Sequence, residues 1–202
     1  MYTRHSYTEF QSRFAWAVAR WSRRLRISWY VADKEPWIFG LIVVVVVAIL
    51  GFALQAVFEY QDDRKNLAKQ YHTQNLTCLA RNVYFEARGE PITGQYAVAE
   101  VTMNRKASGR FPKSVCGVVH EKRWDTIRKR YVGAFSWTEL EAVPIPMGRD
   151  WQRAWSVAEA VYYQRQPRTM EGVLYYHATH IRPEWAKEKQ QVARIGKHIF
   201  YK

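Results

Sequence analysis

The apolar and polar positions of this 202-residue chain fall into three regions with different periodicities. Within residues 1–36, apolar side chains recur every three to four positions with arginines between them, which predicts a basic amphipathic helix. These apolar positions are Phe10, Phe14, Ala17, Trp21 and Leu25. We expect this cytoplasmic segment to lie along the inner face of a membrane, although a helix that binds a soluble partner has the same pattern.

The run from Trp37 to Phe58 contains 22 residues without a charge. At about 1.5 Å per residue it is long enough to cross a hydrocarbon core of about 30 Å, so residues 37–58 are predicted to form a transmembrane helix. A cleaved signal peptide fits less well, because 36 residues precede the run and no Ala-x-Ala site closes it. The lipid of the inner membrane is therefore an expected partner.

The flanking charges predict the orientation of this helix. Seven Lys and Arg residues precede it, whereas Glu59, Asp62 and Asp63 are the first charged residues after it. The positive-inside rule then places the N-terminus in the cytoplasm and residues 59–202 outside. In a Gram-negative cell this arrangement predicts a single-pass inner-membrane protein with a periplasmic domain.

Residues 59–74 are expected to form a juxtamembrane linker, and residues 75–202 to form one compact domain. Its first helix is predicted over residues 75–88, because Gly89 and Pro91 follow as a stop signal. Thr93 is the expected N-cap of the second helix, and the segment "SVCGVV" predicts a third helix of about two turns.

The second half of this domain shows weaker periodicity. Residues 121–149 are rich in Lys, Arg, Gly and Pro and predict a long loop. Asp150 is the expected N-cap of a further amphipathic helix. The segments "GVLYYHATHI" and "ARIGKHIFYK" predict extended pieces at the end of the chain.

Glu86 is the carboxylate with the most informative position. At about 100° per residue, Leu79, Val83 and Glu86 point within about 60° of one another, which places the acid on the apolar face of its helix. Burial opposes ionisation and raises the pKa of a carboxyl group, as a general acid near neutral pH requires. A partly exposed helical Glu or a buried structural ion pair would have the same spacing.

Composition adds two expectations. Cys78 and Cys116 both lie in the predicted exported region, where an oxidising compartment would allow a disulfide, although two buried thiols have the same sequence signature. Residues 59–202 contain 24 Lys and Arg residues and 15 Asp and Glu residues, and this net charge of +9 suits an anionic polymer or a membrane surface, with solubility alone as the alternative. The predicted topology argues against nucleic acid as a partner.

Six ordered segments together resemble the spore-cortex-lytic, SleB-like cell-wall hydrolases, in particular their Gram-negative relatives. These segments are "YFEARGEP", "GQYAVAEVTMNR", "FPKSVCGVV", "AFSW", "LYYHA" and "IGKHIFYK", and they cover about residues 76–202. The resemblance implies an α+β, mostly helical, lysozyme-like (lytic transglycosylase-like) domain, here preceded by one transmembrane helix. It also implies cleavage of the glycan strands of peptidoglycan, with Glu86 as the catalytic acid.

This chain departs from the pattern of those relatives at one place. They often carry a second cysteine pair around the Phe-Ser-Trp block, whereas Gly133 and Glu139 stand there in this sequence. The loop over residues 121–149 is therefore expected to be looser.

Two reactions remain open at this stage. A muramidase-type hydrolase needs a second carboxylate, for which Glu90 and Glu100 are the candidates. A lytic transglycosylase needs only Glu86, because the 6-hydroxyl of the substrate attacks and gives a 1,6-anhydro product. We favour the second reaction. A non-catalytic membrane-anchored peptidoglycan-binding scaffold and a phage lysis protein are the alternatives of a different class.

Several polar and aromatic residues are candidates for substrate binding, each with a structural role as the alternative. Gln95, Asn104 and Arg105 could bond sugar hydroxyls and amides, and Ser136 beside Phe135 could bond an acetamido group. A groove wall is expected from Tyr175, Tyr176 and His177. Because no thiolate or carboxylate cluster accompanies His177, His180 and His198, we predict no metal and no cofactor.

Overall fold

The computed structural model describes residue 16 and residues 18–24, 35–126 and 128–202. The chain divides into two compact units, Met1–Arg64 and Lys65–Lys202. In the predicted amphipathic segment, residue 16 and residues 18–24 are helical and exposed. The other positions of its apolar pattern, Phe10, Phe14, Ala17 and Leu25, lie outside the described residues.

The longest element is helix α1, Glu35–Ala87, with 53 residues. By length and composition it contains a stretch apolar enough to cross a membrane, and the residues of that stretch are exposed. An apolar helix near the N-terminus indicates secretion or anchoring. Residues 59–74, predicted as a linker, are helical, because no Gly or Pro interrupts the chain between Gly51 and Gly89.

The helix predicted over residues 75–88 is therefore the last part of a longer helix. Its predicted start is wrong, since a propensity argument finds no break there, but burial of side chains does begin at Asn75. Ala87 is the last helical residue, one position before the predicted end. Gly89 and Pro91 follow as the sequence indicated.

Three shorter helices follow: α2 at Ile92–Ala107, α3 at Val115–Val119 and α4 at Gly148–Tyr162. The expected caps at Thr93 and Asp150 are wrong. Helix α2 begins directly after Pro91, whose fixed backbone suits a helix start, and α4 begins two residues before Asp150. Asp150 lies in the first turn, where its charge is favourable to the helix dipole.

The segment predicted as a long loop holds regular structure. Strands β1, Lys122–Asp125, and β2, Arg130–Gly133, form an antiparallel hairpin, and a 3-10 helix follows at Ser136–Glu139. The strand pattern is hidden in β1 because the adjacent Lys122 and Arg123 occupy both of its faces. The predicted loop over residues 121–149 is therefore wrong for its first two thirds.

Gly133 and Glu139, where the loop is expected to be looser, are in direct contact. The Gly133 amide donates to a Glu139 carboxylate oxygen at 2.5 Å, and Arg130 pairs with the other oxygen at 3.1 Å. These contacts lower the pKa of Glu139, chiefly through the Gly133 amide. A hydrogen bond thus ties together the two positions at which relatives often carry a cysteine pair.

A second sheet closes the domain. Its strands are β3 at Tyr175–Ala178, β4 at Gln191–Ile195 and β5 at His198–Tyr201, in the antiparallel order β3-β5-β4. The predicted extended pieces are confirmed, with one refinement. The last piece is a hairpin, because Gly196 has a φ of +55° and turns the chain between β4 and β5.

Two apolar clusters form the core of this mostly helical α+β domain. The larger one packs the last turns of α1 against α4 and includes the fully buried Leu79 and Val83. The smaller one packs α2 against the three-stranded sheet around Phe200. The last turn of α1 lies between the two clusters, since Val83 belongs to the first and Ala87 to the second.

Helix α3 is fastened to α1 by two kinds of contact. Cys78 and Cys116 form a disulfide with a Cα–Cα distance of 5.2 Å. The buried Asn75 side chain accepts from the amides of Val115 at 2.7 Å and Cys116 at 3.2 Å, so it satisfies donors at the start of α3. Tertiary contacts thus stabilise a helix too short to persist alone.

We expect the double substitution Cys78→Ser and Cys116→Ser to lower the free energy of unfolding by about 2–4 kcal/mol, because the bridge closes a long loop. Thermal and denaturant unfolding of the full chain in detergent measures the change. Reductant should lower the stability of the unsubstituted protein to a similar level and leave the double variant unaffected. Equal stability of both proteins without reductant would contradict a stabilising bridge.

Candidate active site

Glu86 lies in the last turn of α1, directly before the helix ends at Ala87. Its side chain is largely covered, on the same face as Leu79 and Val83. The hydroxyl of Tyr176 on β3 donates to Glu86 Oε2 at 3.2 Å. Within residues 35–126 and 128–202, this is the hydrogen bond that the structure gives the carboxyl group, and it engages Oε2 rather than Oε1.

The surroundings of Glu86 shift its protonation equilibrium. Burial raises the pKa of this carboxyl group above its ordinary value, and that effect is the largest. The hydrogen bond from Tyr176 and the positive charge of Arg105 act in the opposite direction and are smaller. The net result is an acid that keeps its proton to higher pH than an exposed Glu.

Tyr176 is held by the three-stranded sheet. In the β3–β5 register it is opposite Phe200, and its ring meets that of His198 edge-on with centroids 5.2 Å apart. Burial, followed by the neighbouring Glu86, raises the pKa of the phenol well above its usual range. Tyr176 therefore stays protonated and acts as a hydrogen-bond donor to Glu86.

Arg105 approaches the same region from α2. Its Nε donates to the carbonyl of Leu174 at 2.8 Å, and its guanidinium lies 5.3 Å from the ring centroids of both Phe111 and Phe135. Burial lowers the pKa of this guanidinium. The contacts fix a cation beside the Glu86–Tyr176 pair and bring Phe135 close to it.

A second aromatic group flanks Glu86 along α1. Phe85 stacks on Trp137 with centroids 4.8 Å apart and an interplanar angle of 24°. The indole of Trp137 donates to Asn82 Oδ1 at 3.0 Å, and the Asn82 amide donates to Thr102 at 3.1 Å. A buried polar chain thus joins α1, α2 and the 3-10 helix next to the catalytic candidate.

Sequence reasoning missed Asn82, Trp137 and His198 as parts of this region. Asn82 carried a signal, since a polar residue one turn from Glu86 lies near the apolar stripe. His198 carried another, because alternation along β5 places it on the face of Phe200. Trp137 offered only its presence in the "AFSW" segment, and the contact depends on how the chain returns to α1.

Two of the predicted sugar-binding residues are engaged within the fold. Gln95 is fully buried, and its amide donates to the carbonyl of Glu90 at 3.2 Å. The amide of Asn104 donates to the carbonyls of Met170 at 2.5 Å and Val173 at 3.0 Å. These contacts favour the structural alternative for both side chains.

The three residues predicted to form a groove wall lie on both faces of strand β3. Tyr176 faces Glu86, whereas His177 bonds the hydroxyl of Tyr201 at 2.9 Å and Tyr175 lies beside Trp185, 5.7 Å between centroids. Successive side chains of a strand point to opposite faces, so the three residues cannot line one surface. Ser136 is exposed at the start of the 3-10 helix, directly after the buried Phe135.

Both candidates for a second carboxylate accept hydrogen bonds from backbone amides. Glu90 accepts from Lys197 at 2.8 Å, in the turn between β4 and β5. Glu100 accepts from the amides of Thr169 at 2.8 Å and Met170 at 2.7 Å, and from the Thr169 hydroxyl at 3.1 Å. The structure gives neither carboxylate a contact with Glu86.

A cavity of about 330 Å³ lies between α2 and the chain that follows α4. Glu100, Asn104, Lys106 and Arg168 contribute to its lining, but Glu86, Tyr176 and Arg105 do not. The carboxyl group of Glu86 therefore lies outside this cavity. In the part of the chain that the structure describes, no three His, Cys, Asp or Glu side chains are grouped to hold a metal ion.

Comparison with known proteins identifies the family. Residues 89–201 match the family model described as Cell Wall Hydrolase. The spore cortex-lytic enzyme of Halalkalibacterium halodurans is 32% identical over 146 residues, which cover 69% of this chain and 40% of that protein. The spore cortex-lytic enzyme of Bacillus cereus is 30% identical over 142 residues, covering 70% of this chain and 49% of that protein. This chain therefore spans less than half the length of these relatives.

Two solved structures are similar as well. The catalytic domain of the Bacillus cereus SleB protein has a TM-score of 0.48 at 30% identity and covers 64% of this chain and 91% of its own. The catalytic domain of the germination-specific lytic transglycosylase SleB from Bacillus anthracis has a TM-score of 0.47 at 30% identity, over 63% and 93% of the two chains. The family model begins three residues after Glu86, so this match does not include the candidate acid. By the match over residues 89–201, this chain belongs to the Cell Wall Hydrolase family.

Proposed function

We propose that this protein cleaves the glycan strands of peptidoglycan between N-acetylmuramic acid and N-acetylglucosamine as a lytic transglycosylase. Glu86 is the general acid. The observation that carries this proposal is the buried carboxyl group of Glu86, fixed through one oxygen by Tyr176. The family assignment and the names of the spore cortex-lytic relatives support a cell-wall polymer as the substrate.

In the first half of the reaction, Glu86 acts as an acid. Cleavage of a glycosidic bond needs a proton on the leaving oxygen, and a carboxyl group whose pKa is raised by burial delivers it near neutral pH. Tyr176 holds Oε2, which leaves Oε1 for proton transfer. As the bond to the leaving sugar breaks, positive charge develops on the muramic acid ring and Glu86 becomes a carboxylate.

In the second half, the same carboxylate acts as a base. It takes the proton of the 6-hydroxyl of the muramic acid, whose oxygen attacks C1 and closes the 1,6-anhydro ring. Glu86 is then protonated again and no water is consumed. Tyr176 and Arg105 favour the ionised form of Glu86, so they stabilise the enzyme between the two halves.

The engagement of Glu90 and Glu100 supports this route over hydrolysis. A second catalytic carboxylate lies about 5–5.5 Å from the first in retaining hydrolases, or roughly 6.5–9.5 Å from it in inverting ones. Both candidates here use their oxygens to hold backbone amides of other loops. A transglycosylase needs no second acid, which agrees with these contacts.

Substrate binding is proposed for the residues that lie beside Glu86. Arg105 supplies a cation and Phe135 an apolar ring, and the exposed hydroxyl of Ser136 follows directly. Gln95 and Asn104 are proposed to hold the fold rather than the sugar. The arrangement of this domain is proposed to be lysozyme-like.

We further propose the location suggested by the sequence. Helix α1 contains a stretch apolar enough to cross a membrane, and the Cys78–Cys116 bridge suits an oxidising compartment. The protein would then be anchored by residues 37–58 in the inner membrane with its N-terminus in the cytoplasm. The catalytic domain would be periplasmic, with reach limited to nearby glycan.

Glu86→Gln is expected to abolish glycan cleavage while sacculus binding is retained, because Gln has nearly the shape of Glu but no acidic proton to transfer to the leaving oxygen. Intact sacculi are digested with the full chain in detergent, and released fragments are analysed by mass spectrometry. Products of the unsubstituted protein should end in 1,6-anhydro-muramic acid, lighter by one water than reducing ends. The variant should release none.

Glu90→Gln and Glu100→Gln are the matched controls for this experiment. We expect both to lose stability through their amide contacts and still to form the anhydro product. Reducing-end products that vanish with either variant would instead establish a hydrolase with a second carboxylate. Absence of products from the folded, sacculus-binding protein would favour a scaffold.

Tyr176→Phe is expected to move the alkaline limb of the activity profile to higher pH. The lost hydrogen bond stabilises the ionised form of Glu86, so without it the pKa of Glu86 rises further. We also expect kcat to fall by roughly tenfold, since a bond to a charged group is lost. The pH dependence of kcat/KM measures the shift. Tyr163→Phe, an exposed tyrosine after α4, is the control, and an unmoved limb in Tyr176→Phe would contradict the assignment.

Glu86→Gln is also expected to stabilise the protein more at pH 7 than at pH 4. The pKa of Glu86 is raised in the folded state, so the native protein binds more protons than the unfolded chain between the ordinary and the raised value. Stability from this group is therefore present at low pH and lost as pH rises through that window. Thermal unfolding across pH tests this, with the exposed Glu171→Gln as the control. A difference that does not vary with pH would refute it.

A further inference from the structure

The β1–β2 hairpin is separate from the three-stranded sheet. It forms its own two-stranded sheet, and three of the four β1 residues are exposed. An isolated two-stranded hairpin is only marginally stable in water, so contacts with other parts of the protein or with a ligand are needed to stabilise it. The mechanism above uses none of its residues.

One face of this hairpin presents two large aromatic rings to solvent. Trp124 and Tyr131 are directly opposite each other in the register, with ring centroids 5.3 Å apart and an interplanar angle of 74°. Their exposures are 55% and 63%. Paired exposed aromatic rings at one site are typical of binding surfaces, because such rings contribute strongly to association when a partner covers them.

The hairpin is also rich in positive charge. Residues 121–133 contain five Lys and Arg residues but only two acidic ones. Arg123 pairs with Glu121 at 2.9 Å, Arg130 with Glu139 at 3.1 Å and Arg128 with Asp125 at 3.8 Å. Lys122 and Lys129 are the basic residues of the hairpin outside these three ion pairs. Lys122 lies two residues from Trp124 and therefore on the same face of β1. An anionic partner is complementary to this surface.

The opposite face of β1 connects the hairpin to the candidate active site. The guanidinium of Arg123 lies 4.6 Å from the ring centroid of Phe111, and Arg105 contacts the same ring at 5.3 Å. Arg105 in turn acts on the charge of Glu86. The Ala134 amide, directly before Phe135, donates to the Glu121 carbonyl at 2.8 Å. The base of the hairpin is thus continuous with the residues around Glu86.

We propose that Trp124 and Tyr131 form a second glycan-binding surface, which holds a distant part of the same peptidoglycan strand that Glu86 cleaves. This inference rests on the proposed function. Pyranose rings present flat C–H faces that stack on aromatic rings, and the stem peptides carry carboxylates that the surrounding Lys and Arg side chains attract. The surface extends the substrate contact beyond the reacting sugars and favours polymeric over short glycan.

The geometry favours glycan over an anionic lipid as the occupant. The planes of the two rings are inclined to each other by 74°, so an elongated ligand can contact both rings at different points along its length. Arg123 of the hairpin and Arg105 both contact the ring of Phe111. These contacts connect the hairpin to the region of Glu86, the residue proposed to act on glycan. Lipid headgroups would be attracted by the same charges, and the experiment below separates the two.

Binding to intact sacculi tests the proposal in the full chain carrying Glu86→Gln, which removes cleavage from the measurement. Adding Trp124→Ala should weaken co-sedimentation with sacculi by roughly five- to tenfold, as expected for loss of an aromatic anchor. Tyr131→Ser should act in the same direction, and Trp124→Phe should restore most of the binding. Circular dichroism confirms that each variant is folded.

Tyr163→Ala is the matched control, because Tyr163 is also exposed and has a cation nearby, with Arg165 5.2 Å from its ring centroid. It lies after α4, away from the hairpin in sequence, and should leave binding unchanged. Equal binding of the Trp124→Ala and Tyr163→Ala variants would overturn the proposal. If both substitutions weaken sacculus binding equally, exposed aromatic side chains adhere to sacculi wherever they lie, and this result would also overturn the proposal.

Kinetics with intact Glu86 separate this proposal from the proposed function. Trp124→Ala should raise KM for sacculi by a similar factor, with the loss concentrated in KM rather than kcat. If the unsubstituted protein releases no products but Trp124→Ala still weakens sacculus binding, the proposed function fails and the surface remains. If products form and Trp124→Ala alters neither KM nor binding, the surface fails and the function remains.

A lipid arm completes the test. The full chain is placed in nanodiscs of phosphatidylcholine, with or without phosphatidylglycerol, and amide exchange of residues 122–133 is measured with and without soluble glycan strands. Protection by glycan in both lipids supports the proposal. Protection by phosphatidylglycerol alone, with no further effect of glycan, assigns the surface to the membrane and overturns it.

Discussion

The carboxyl group of Glu86 is held where the last turn of α1 meets strand β3, and the architecture around it depends on this contact. Two apolar clusters meet at this turn, which covers the side chain and raises its pKa. The Tyr176 hydroxyl compensates part of the cost of burial without removing the proton. The position of the Glu86 carboxyl group is therefore determined by the packing of α1 against the sheet.

The other polar side chains that might have served chemistry instead fix the loops around this contact. Glu90 holds the β4–β5 turn, while Glu100 and Asn104 hold the segment that leads into β3. Each uses buried or partly buried oxygens and amides to satisfy backbone groups, which leaves few unpaired. This division of roles agrees with a reaction that needs a single acid, and it gives α2 a structural task on the side away from solvent.

Exposure is distributed as unevenly as burial. The largest aromatic side chains near Glu86 are packed and hydrogen-bonded, as with Trp137, whereas Trp124 and Tyr131 on the hairpin are open to solvent. The chain belongs to the Cell Wall Hydrolase family, and an exposed surface with aromatic and cationic side chains suits the polymeric ligand proposed above. In the proposed function, anchoring by α1 and glycan binding by the hairpin together restrict where Glu86 acts.

The sequence by itself determined the features that depend on neighbours along the chain. The apolar run within α1, the helical register that turns Glu86 inward, the end of α1 before Gly89 and the strands near the C-terminus all follow from local periodicity. The sequence also indicates that Cys78 and Cys116 could pair, but only the fold brings the two cysteines close enough to form a disulfide.

Tertiary structure alone decided which side chains meet. The partnership of Tyr176 with Glu86, the withdrawal of Tyr175 and His177 to the other face, and the commitment of Glu90 and Glu100 to distant amides all join residues far apart in sequence. The β1–β2 hairpin was hidden for a related reason, because its strands are mostly exposed and their burial does not alternate along the sequence. Local patterns report which face of an element is apolar, but only packing reports what lies against it.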